Sequence, residues 1–391
     1  MTDNPLVSII TPSYNQAPFL EQTIRSVLAQ DYPRIEYIVV DGASTDGSVE
    51  IIKRHESRIA RWVSEPDRGQ SDAINKGFRM ATGDVVAWIN SDDLYFPDAV
   101  STAVERFTQD PGLGLFYGNC VFIDRDGAFV RYFTEVEPYD EFRLRNCSDF
   151  IMQPTTFFRR DLLEKIGLLD ESLHFTMDWD LWCRFAESGC GIHCEPKLIA
   201  ATRVYPETKT TAGSRPRLDE VKQILNRHKT AWWPHGWFGF YATEVRRLLE
   251  RADLPFFRRL RLNLLLFLLR LGNLRNILYD RRRPNNLYGL RRRTNELMQH
   301  ARLTWPLHRD AGQLRLTLSS TTRSSTRPTP TLTITINGRT QSPVGVSGSG
   351  QPFTFTLPKS VSDSHVIDLE LALAGPDARA THPVLKKCEL L

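Results

Sequence analysis

Up to Tyr95 the chain alternates short apolar runs with amphipathic stretches, each bounded by turn residues. Val7-Ser8-Ile9-Ile10 reads as a buried strand, followed by a loop over Thr11-Pro12-Ser13-Tyr14-Asn15. A helix with Leu20, Ile24, Val27 and Leu28 on one face then leads to a second strand, Glu36-Tyr37-Ile38-Val39-Val40, which ends in Asp41-Gly42. Strand, helix and strand at this spacing predict a parallel βαβ unit. Gly42 through Ser48 turns into a helix through Val49, Ile51 and Ile52, with Ser44 or Asp46 as its cap. After Trp62-Val63-Ser64 the segment Glu65-Pro66-Asp67-Arg68-Gly69-Gln70-Ser71-Asp72-Ala73 is another strand end turning into a helix.

The run Val85-Val86-Ala87-Trp88-Ile89 stops abruptly at Asn90-Ser91-Asp92-Asp93. Ligands of open α/β sheets bind beyond the carboxyl ends of the strands, so these carboxylates stand where a metal and a phosphorylated substrate would sit. Calcium wants six or more oxygens, whereas Mg2+ or Mn2+ is held by one or two carboxylates together with substrate phosphates. The plainer alternative is a strand end at which Asp93 starts a turn toward Pro97.

Beyond that strand, short strands are expected over Leu115–Asn119 and Val121–Asp124, with Asp126-Gly127 as a hairpin turn. Another is expected over Ile151–Phe158. Helical periodicity returns at Leu181, Trp182 and Phe185, with Asp178 and Asp180 in or beside the first turn, where carboxylates also offset the helix dipole. Pro216 through Arg251 reads as helical, with a crowd of aromatic residues that suits helix packing. Period-two alternation in Leu314–Leu318, Leu332–Ile336, Phe353–Leu357 and Val366–Leu373, separated by Gly, Pro and Ser turns, predicts a small antiparallel β-sandwich.

Length changes the picture first: 391 residues suit two or three domains. The division expected is an α/β unit over 1–212, a helical arginine-rich segment over 213–309 and the β-sandwich over 310–391. The net charge of +4 hides an uneven distribution, because arginine dominates from Arg246 to Arg309. From Phe256 to Leu278, Leu and Phe interleave with Arg258, Arg259, Arg261, Arg270 and Arg275, and the triplets Arg281–Arg283 and Arg291–Arg293 follow. The apolar run falls far short of the ~20 residues that cross a bilayer. Two readings stand side by side: a segment lying on an anionic membrane surface, or a helix packed on the catalytic unit with solvated arginines. No nucleic-acid motif accompanies the arginines, so nucleic acid is not an expected partner.

The N-terminus shows no apolar targeting run, and six scattered cysteines argue against a disulfide framework, so a cytoplasmic setting is expected. Cys190, His193 and Cys194 lack a second pair at zinc-finger spacing. Neither GxGxxG nor GxxxxGK occurs after a strand, which argues against a dinucleotide site or a P-loop.

Taken together, Pro12-Ser13-Tyr14-Asn15, Val39-Val40-Asp41-Gly42 with Ser44-Thr45-Asp46-Gly47, Glu65-Pro66-Asp67, Asn90-Ser91-Asp92-Asp93 and Asp178-Trp179-Asp180-Leu181-Trp182 follow an order that resembles the family 2 glycosyltransferases. The resemblance implies the GT-A fold, a Rossmann-like, mostly parallel sheet flanked by helices, and an inverting enzyme dependent on nucleotide sugars. It implies that Pro12, Ser13, Tyr14 and Asn15 border the nucleotide base, that Asp41 hydrogen-bonds it, and that Asp67 and Arg68 form the next donor-side loop. Asp92 matches the last position of the family's Asp-x-Asp signature, the usual ligand of Mn2+ or Mg2+, with Asp93 beside it. Asn90 replaces the first acid, and with Ser91 it faces the donor. Gln153 falls near the sugar and acceptor side. Asp178 matches the catalytic base, although Met177 replaces the acid often found before it. Lys209 matches a diphosphate contact, and Tyr205 stands where a histidine is common.

The expected activity is transfer of a sugar from a nucleoside diphosphate to a hydroxyl of a glycan or lipid-linked glycan acceptor in surface polysaccharide synthesis, in the cytoplasm or on the inner face of its membrane. One rival is a sugar-1-phosphate nucleotidyltransferase, which would favour a glycine-rich loop where Pro12-Ser13-Tyr14-Asn15 has no glycine. Another is an inactive glycan-binding scaffold.

Overall fold

The computed structural model describes residues 4–133, 136–209, 215–232, 235–249 and 255–272, and beyond them only strands lying between residues 290 and 390. The N-terminal unit is built on a nine-stranded sheet. Its first half follows the predicted βαβ pattern: β1 (Val7–Ser13), α1 (Ala17–Leu28), β2 (Ile35–Asp41), α2 (Ser48–Arg54), β3 (Arg61–Ser64), α3 (Gln70–Met80) and β4 (Val85–Trp88). Strands β1, β2, β3 and β4 are parallel, in the order β3-β2-β1-β4.

The second half departs from the mostly parallel sheet expected. β5 (Leu94–Tyr95), α4 (Ala99–Gln109), β6 (Leu113–Ile123), β7 (Phe129–Tyr132), α5 (Glu141–Asn146), β8 (Phe157–Arg159), α6 (Arg160–Ile166), α7 (Met177–Glu187) and β9 (Gly191–Arg203) follow. β8 runs antiparallel to both β4 and β6, β7 to β6 and β5 to β9, and only the β6–β9 pair is parallel. The sheet is therefore mixed. β6 and β7 are joined by a tight hairpin, in which the Asp124 carboxylate accepts from the Asp126 and Ala128 N–H groups and Gly127 takes a positive φ. A hairpin reverses the chain, so the predicted Asp-Gly turn accounts for β7, which pairs with β6 off the main path of the sheet; the parallel run itself is broken by β8, inserted antiparallel between β4 and β6.

Alternation along the strands sends side chains to two cores. Val7, Ile9, Val85 and Ala87 pack with α1, α2 and α4, whereas Ile10, Val86 and Trp88 pack with α3, α6 and α7. In the second core Trp88 stacks on Trp182, ring centroids 5.5 Å apart.

The stretch read as one helix from Pro216 is two helices, α8 (Arg215–His228) and α9 (His235–Leu249). Val221, Ile224 and Leu225 of α8 are buried in the same core as Trp88 and Trp182. The helix thus lies beyond the boundary expected at residue 212 yet completes the packing of the unit before it. α9 in turn packs on α10 (Phe256–Gly272) through Ala242, Val245, Leu266 and Leu269.

The later strands form two antiparallel five-stranded sheets. One contains Leu290–Arg291, Glu296–Leu297, Gln313–Ser319, Pro352–Thr356 and Val384–Leu390; the other contains His300–Pro306, Thr331–Ile336, Arg339–Thr340, Val344–Gly345 and Val366–Ala374. The four predicted strands are all among them. His300–Pro306 pairs along its whole length with Val366–Ala374, so these sheets begin before the boundary expected at residue 310. The Arg281–Arg283 triplet lies outside the described residues.

Candidate active site

The ends of the parallel strands fall in register. Ser13 pairs with Asp41 and Asp41 with Ser64, so three polar residues line one edge of the sheet. Asp41 is fully buried, and its carboxylate accepts from the Ser44 N–H (2.9 Å), the Ser44 hydroxyl (2.5 Å) and the Ser64 hydroxyl (2.7 Å). The loops after β1 and β2 are stitched together as well. Asn15 N–H donates to Ser44 Oγ, Thr45 N–H to Asn15 Oδ1, and Ala17 N–H to Asp46 Oδ2. Neither of the two caps expected for α2 stands at the cap position, which Gly47 takes; Asp46, just before it, accepts from the Ser48 N–H and hydroxyl, while Ser44 serves Asp41.

Asn15 and Ala43 are the two non-glycine residues with positive φ among those described, at 51° and 62°. For alanine this conformation costs about 1–3 kcal/mol and persists only where surroundings enforce it, a pattern concentrated at functional sites. Between these loops Gly42 leaves a slot: a Cβ there would collide with the Asp67 carboxylate and lie 3.3 Å from the Tyr14 ring. Tyr14 is 61% exposed, so an aromatic face borders a carboxylate at an open edge. The Ser13 hydroxyl is buried without a hydrogen-bond partner among the described residues. Asp67 accepts from Gly69 N–H, and Arg68 is tied to Asp72 (3.2 Å) and Glu171 (2.6 Å).

Beyond β4 the two adjacent acids diverge. Asp93 is buried, accepts the Arg203 N–H (3.0 Å) and faces the Asn90 amide (3.4 Å). Burial first, and the charge of Asp92 second, push its pKa well above the ordinary carboxylate range. Asp92 is half-buried and accepts the Tyr205 hydroxyl on Oδ2 (2.9 Å). Burial raises its pKa too, against the opposing effects of that hydrogen bond and of Arg203.

Asn90 has a physical reason to be an amide. It accepts from Gln70 Nε2 (2.8 Å) while donating to Gln153 Oε1 (3.2 Å) and to Asp93. A carboxylate there could not donate and would face Asp93 with like charge. Gln153, just inside the 3₁₀ turn before β8, donates to Trp88 O, and Lys209 donates to Gln70 Oε1 (3.1 Å). A hydrogen-bonded chain thus runs from Lys209 through Gln70 and Asn90 to Gln153. Ser91 O and Asp93 O both accept from the buried Thr23 hydroxyl, which fixes this turn to α1.

The acids of α7 divide in the same way. Asp180 is buried and accepts from Arg184 (2.8 Å), Arg227 (2.7 Å) and His228 (2.9 Å). Burial pushes its pKa up, but these hydrogen bonds and charges outweigh that and hold it at about 2. Asp178 is half-buried, and burial raises its pKa, partly offset by a hydrogen bond from Trp179 N–H and by the charges of Lys209 and Arg217.

Three contributors carry no motif in the sequence. Arg203, 2% exposed, reaches Asp92 O, Asp124 O, Arg125 O and Gln22 Oε1 and lies over the Phe19 ring behind the Asp92 turn. Asp149 lies close enough to Asp178 that burial and the Asp178 charge push its own pKa well up. Glu220 of α8 accepts the N–H groups of His174, Phe175 and Thr176, capping α7 from another helix immediately before Asp178.

The sequence profile described as glycosyl transferase family 2 matches residues 8–167. An uncharacterized glycosyltransferase of Mycobacterium tuberculosis is 32% identical over 217 residues, which span 51% of this chain and 82% of that protein. The chain belongs to the family 2 glycosyltransferases. A second relative, an uncharacterized glycosyltransferase of Rickettsia typhi, is 29% identical over 57% of this chain and 71% of its own. Among solved structures, a mannosyltransferase from Pyrobaculum calidifontis in complex with GDP-Man and Mn2+ is similar with a TM-score of 0.44 and 23% identity, over 72% of this chain and 75% of that one.

A family 2 enzyme that uses a divalent metal must supply donors for it. Among the described residues no group of three or more His, Cys, Asp or Glu side chains could hold an ion alone. The half-buried Asp92 carboxylate, which accepts the Tyr205 hydroxyl, suits an ion that would take its remaining ligands from a diphosphate and water.

Proposed function

We propose that this glycosyltransferase moves a sugar from a nucleoside diphosphate to a hydroxyl of a glycan or lipid-linked glycan, in one inverting displacement. The observation that carries the reading is the division of labour in the two acidic pairs, which leaves one half-buried carboxylate at the end of β4 and one at the start of α7.

In this reading the nucleotide base lies in the slot beside Tyr14, Gly42 and Asp67, framed by Pro12, Ser13, Asn15 and Arg68, with Asp41 holding the slot's floor. Asn90, Ser91 and Gln153 position the ribose and sugar, and Lys209 faces the diphosphate as a point charge. Asp92 would hold Mn2+ or Mg2+, supported by Asp93 through the turn; when bound, the ion supplies charge neutralisation for the departing diphosphate. Asp178 accepts the acceptor's proton as its oxygen attacks the anomeric carbon and the bond to the diphosphate oxygen breaks. Its raised pKa makes it a stronger base than an ordinary carboxylate.

The setting we propose is the cytoplasm, against the inner face of the membrane where the acceptor is lipid-linked, with surface polysaccharide as the product and the late β-strands as an accessory sandwich. The test is a panel of nucleotide sugars incubated with the full chain and Mn2+ or Mg2+. Slow metal-dependent hydrolysis of one donor, lost in Asp92→Asn, is expected. Donor binding with neither hydrolysis nor transfer across the panel would favour the scaffold reading.

A further inference from the structure

Helix α10 has two apolar faces, and α9 covers only one. Leu262, Leu265, Leu266 and Leu269 pack against α9, whereas Leu260, Leu264, Phe267 and Leu268 are 57%, 60%, 57% and 54% exposed. These four recur at helical spacing and form a single stripe. They are half of the large apolar side chains that stand exposed among the described residues. Arg259 and Arg261, both exposed, belong to the same turns.

Charge identifies the occupant. From Leu254 to Tyr279 the chain carries Arg258, Arg259, Arg261, Arg270 and Arg275 and no carboxylate, in a protein that otherwise nearly balances its charges. A second copy of this helix would bring arginine against arginine. A surface of anionic phospholipid would instead meet the arginines with phosphate while its acyl boundary takes up the leucines. The helix has 17 residues, and no described helix is long and apolar enough to cross a bilayer, so it would lie in the plane of the surface.

We infer that the Leu260–Leu264–Phe267–Leu268 face of α10 docks this enzyme on an anionic lipid surface, with Arg261 gripping the headgroups. Because vesicle binding needs neither donor nor acceptor, this inference can fail while the transferase reading stands, and the reverse.

The experiment is sedimentation of the full chain with vesicles of phosphatidylcholine alone or mixed with phosphatidylglycerol, at low and high salt. Binding is expected only to the mixed vesicles, weakened by salt, and reduced at least about tenfold by L264E/F267E. R261E, which leaves the apolar face intact, should weaken binding to mixed vesicles and flatten its salt dependence. Circular dichroism and melting temperature check that both variants fold. Equal binding to both vesicle types, or none to either, would overturn the inference. So would a concentration-dependent dimer that L264E/F267E abolishes while vesicle binding is absent, because the face would then join two copies of the chain.

Discussion

The turn after β4 and the first turn of α7 each present two nearby acids, and the protein treats the pairs in opposite electrostatic ways. At Asp92 and Asp93 the inner member is held by neutral groups, a backbone N–H and an amide, so burial dominates and its pKa rises. At Asp178 and Asp180 the inner member is held by Arg184, Arg227 and His228, and its pKa falls to about 2. In both pairs the other acid is left half-buried, with its pKa raised. Sequence spacing does not say which member of a pair is structural; the partners that tertiary structure brings to it do.

The comparison breaks most visibly if Asp180 is removed. Asp180→Ala leaves Arg184, Arg227 and His228 around an empty position, and since Arg227 is partly exposed the cost should be about 3 kcal/mol, below the upper range for fully buried pairs. Thermal or urea unfolding checks it. The same residue fixes an acid limb. A folded pKa near 2 against about 3.8 unfolded contributes stability that is complete above roughly pH 4 and drains away as the pH falls toward 2, by about 2–3 kcal/mol. Asp180→Asn should flatten that limb. Asp93 and Asp149 run the other way, since their raised pKa values make burial costly at neutral pH and less so as they take up protons.

A smaller effect sharpens the α7 side. Glu220→Gln exchanges one acceptor oxygen for an amide beside three N–H groups, which should loosen the 174–176 turn by about 1–2 kcal/mol. Turnover should fall up to about tenfold with donor affinity unchanged, and amide exchange at residues 174–178 should quicken. Smaller again is Tyr205→Phe, which deletes one hydrogen bond to Asp92, worth about 1 kcal/mol. Metal-dependent donor affinity, read by calorimetry, should change by less than about tenfold.

Much of this arrangement is legible from local pattern. The strands that end at Asp41, Ser64 and Trp88, the helix that starts at Met177 and the Asp126-Gly127 hairpin all follow from period, turn chemistry and spacing, whereas β1 runs on through Ser13 where a loop is expected from Thr11. The antiparallel placing of β8 between β4 and β6, which makes the expected mostly parallel sheet a mixed one, has no such local signal. The groups that complete the site are different in kind. Arg203 meets Asp92 across 111 residues and Tyr205 meets it across 113, while Glu220 reaches the α7 cap from a helix that composition assigns to another segment. Each is a single polar residue without periodicity, so its role is set by topology alone.

The central claim is that Asp178, and not Asp180, takes the acceptor's proton. Steady-state transfer and donor-nucleotide affinity measured together on Asp178→Asn test it most directly. The account predicts turnover lower by at least about a hundredfold, with nucleotide affinity nearly unchanged. Near-normal turnover in Asp178→Asn would contradict it, and the same loss appearing in a folded Asp180→Asn would move the base to the other acid of the pair.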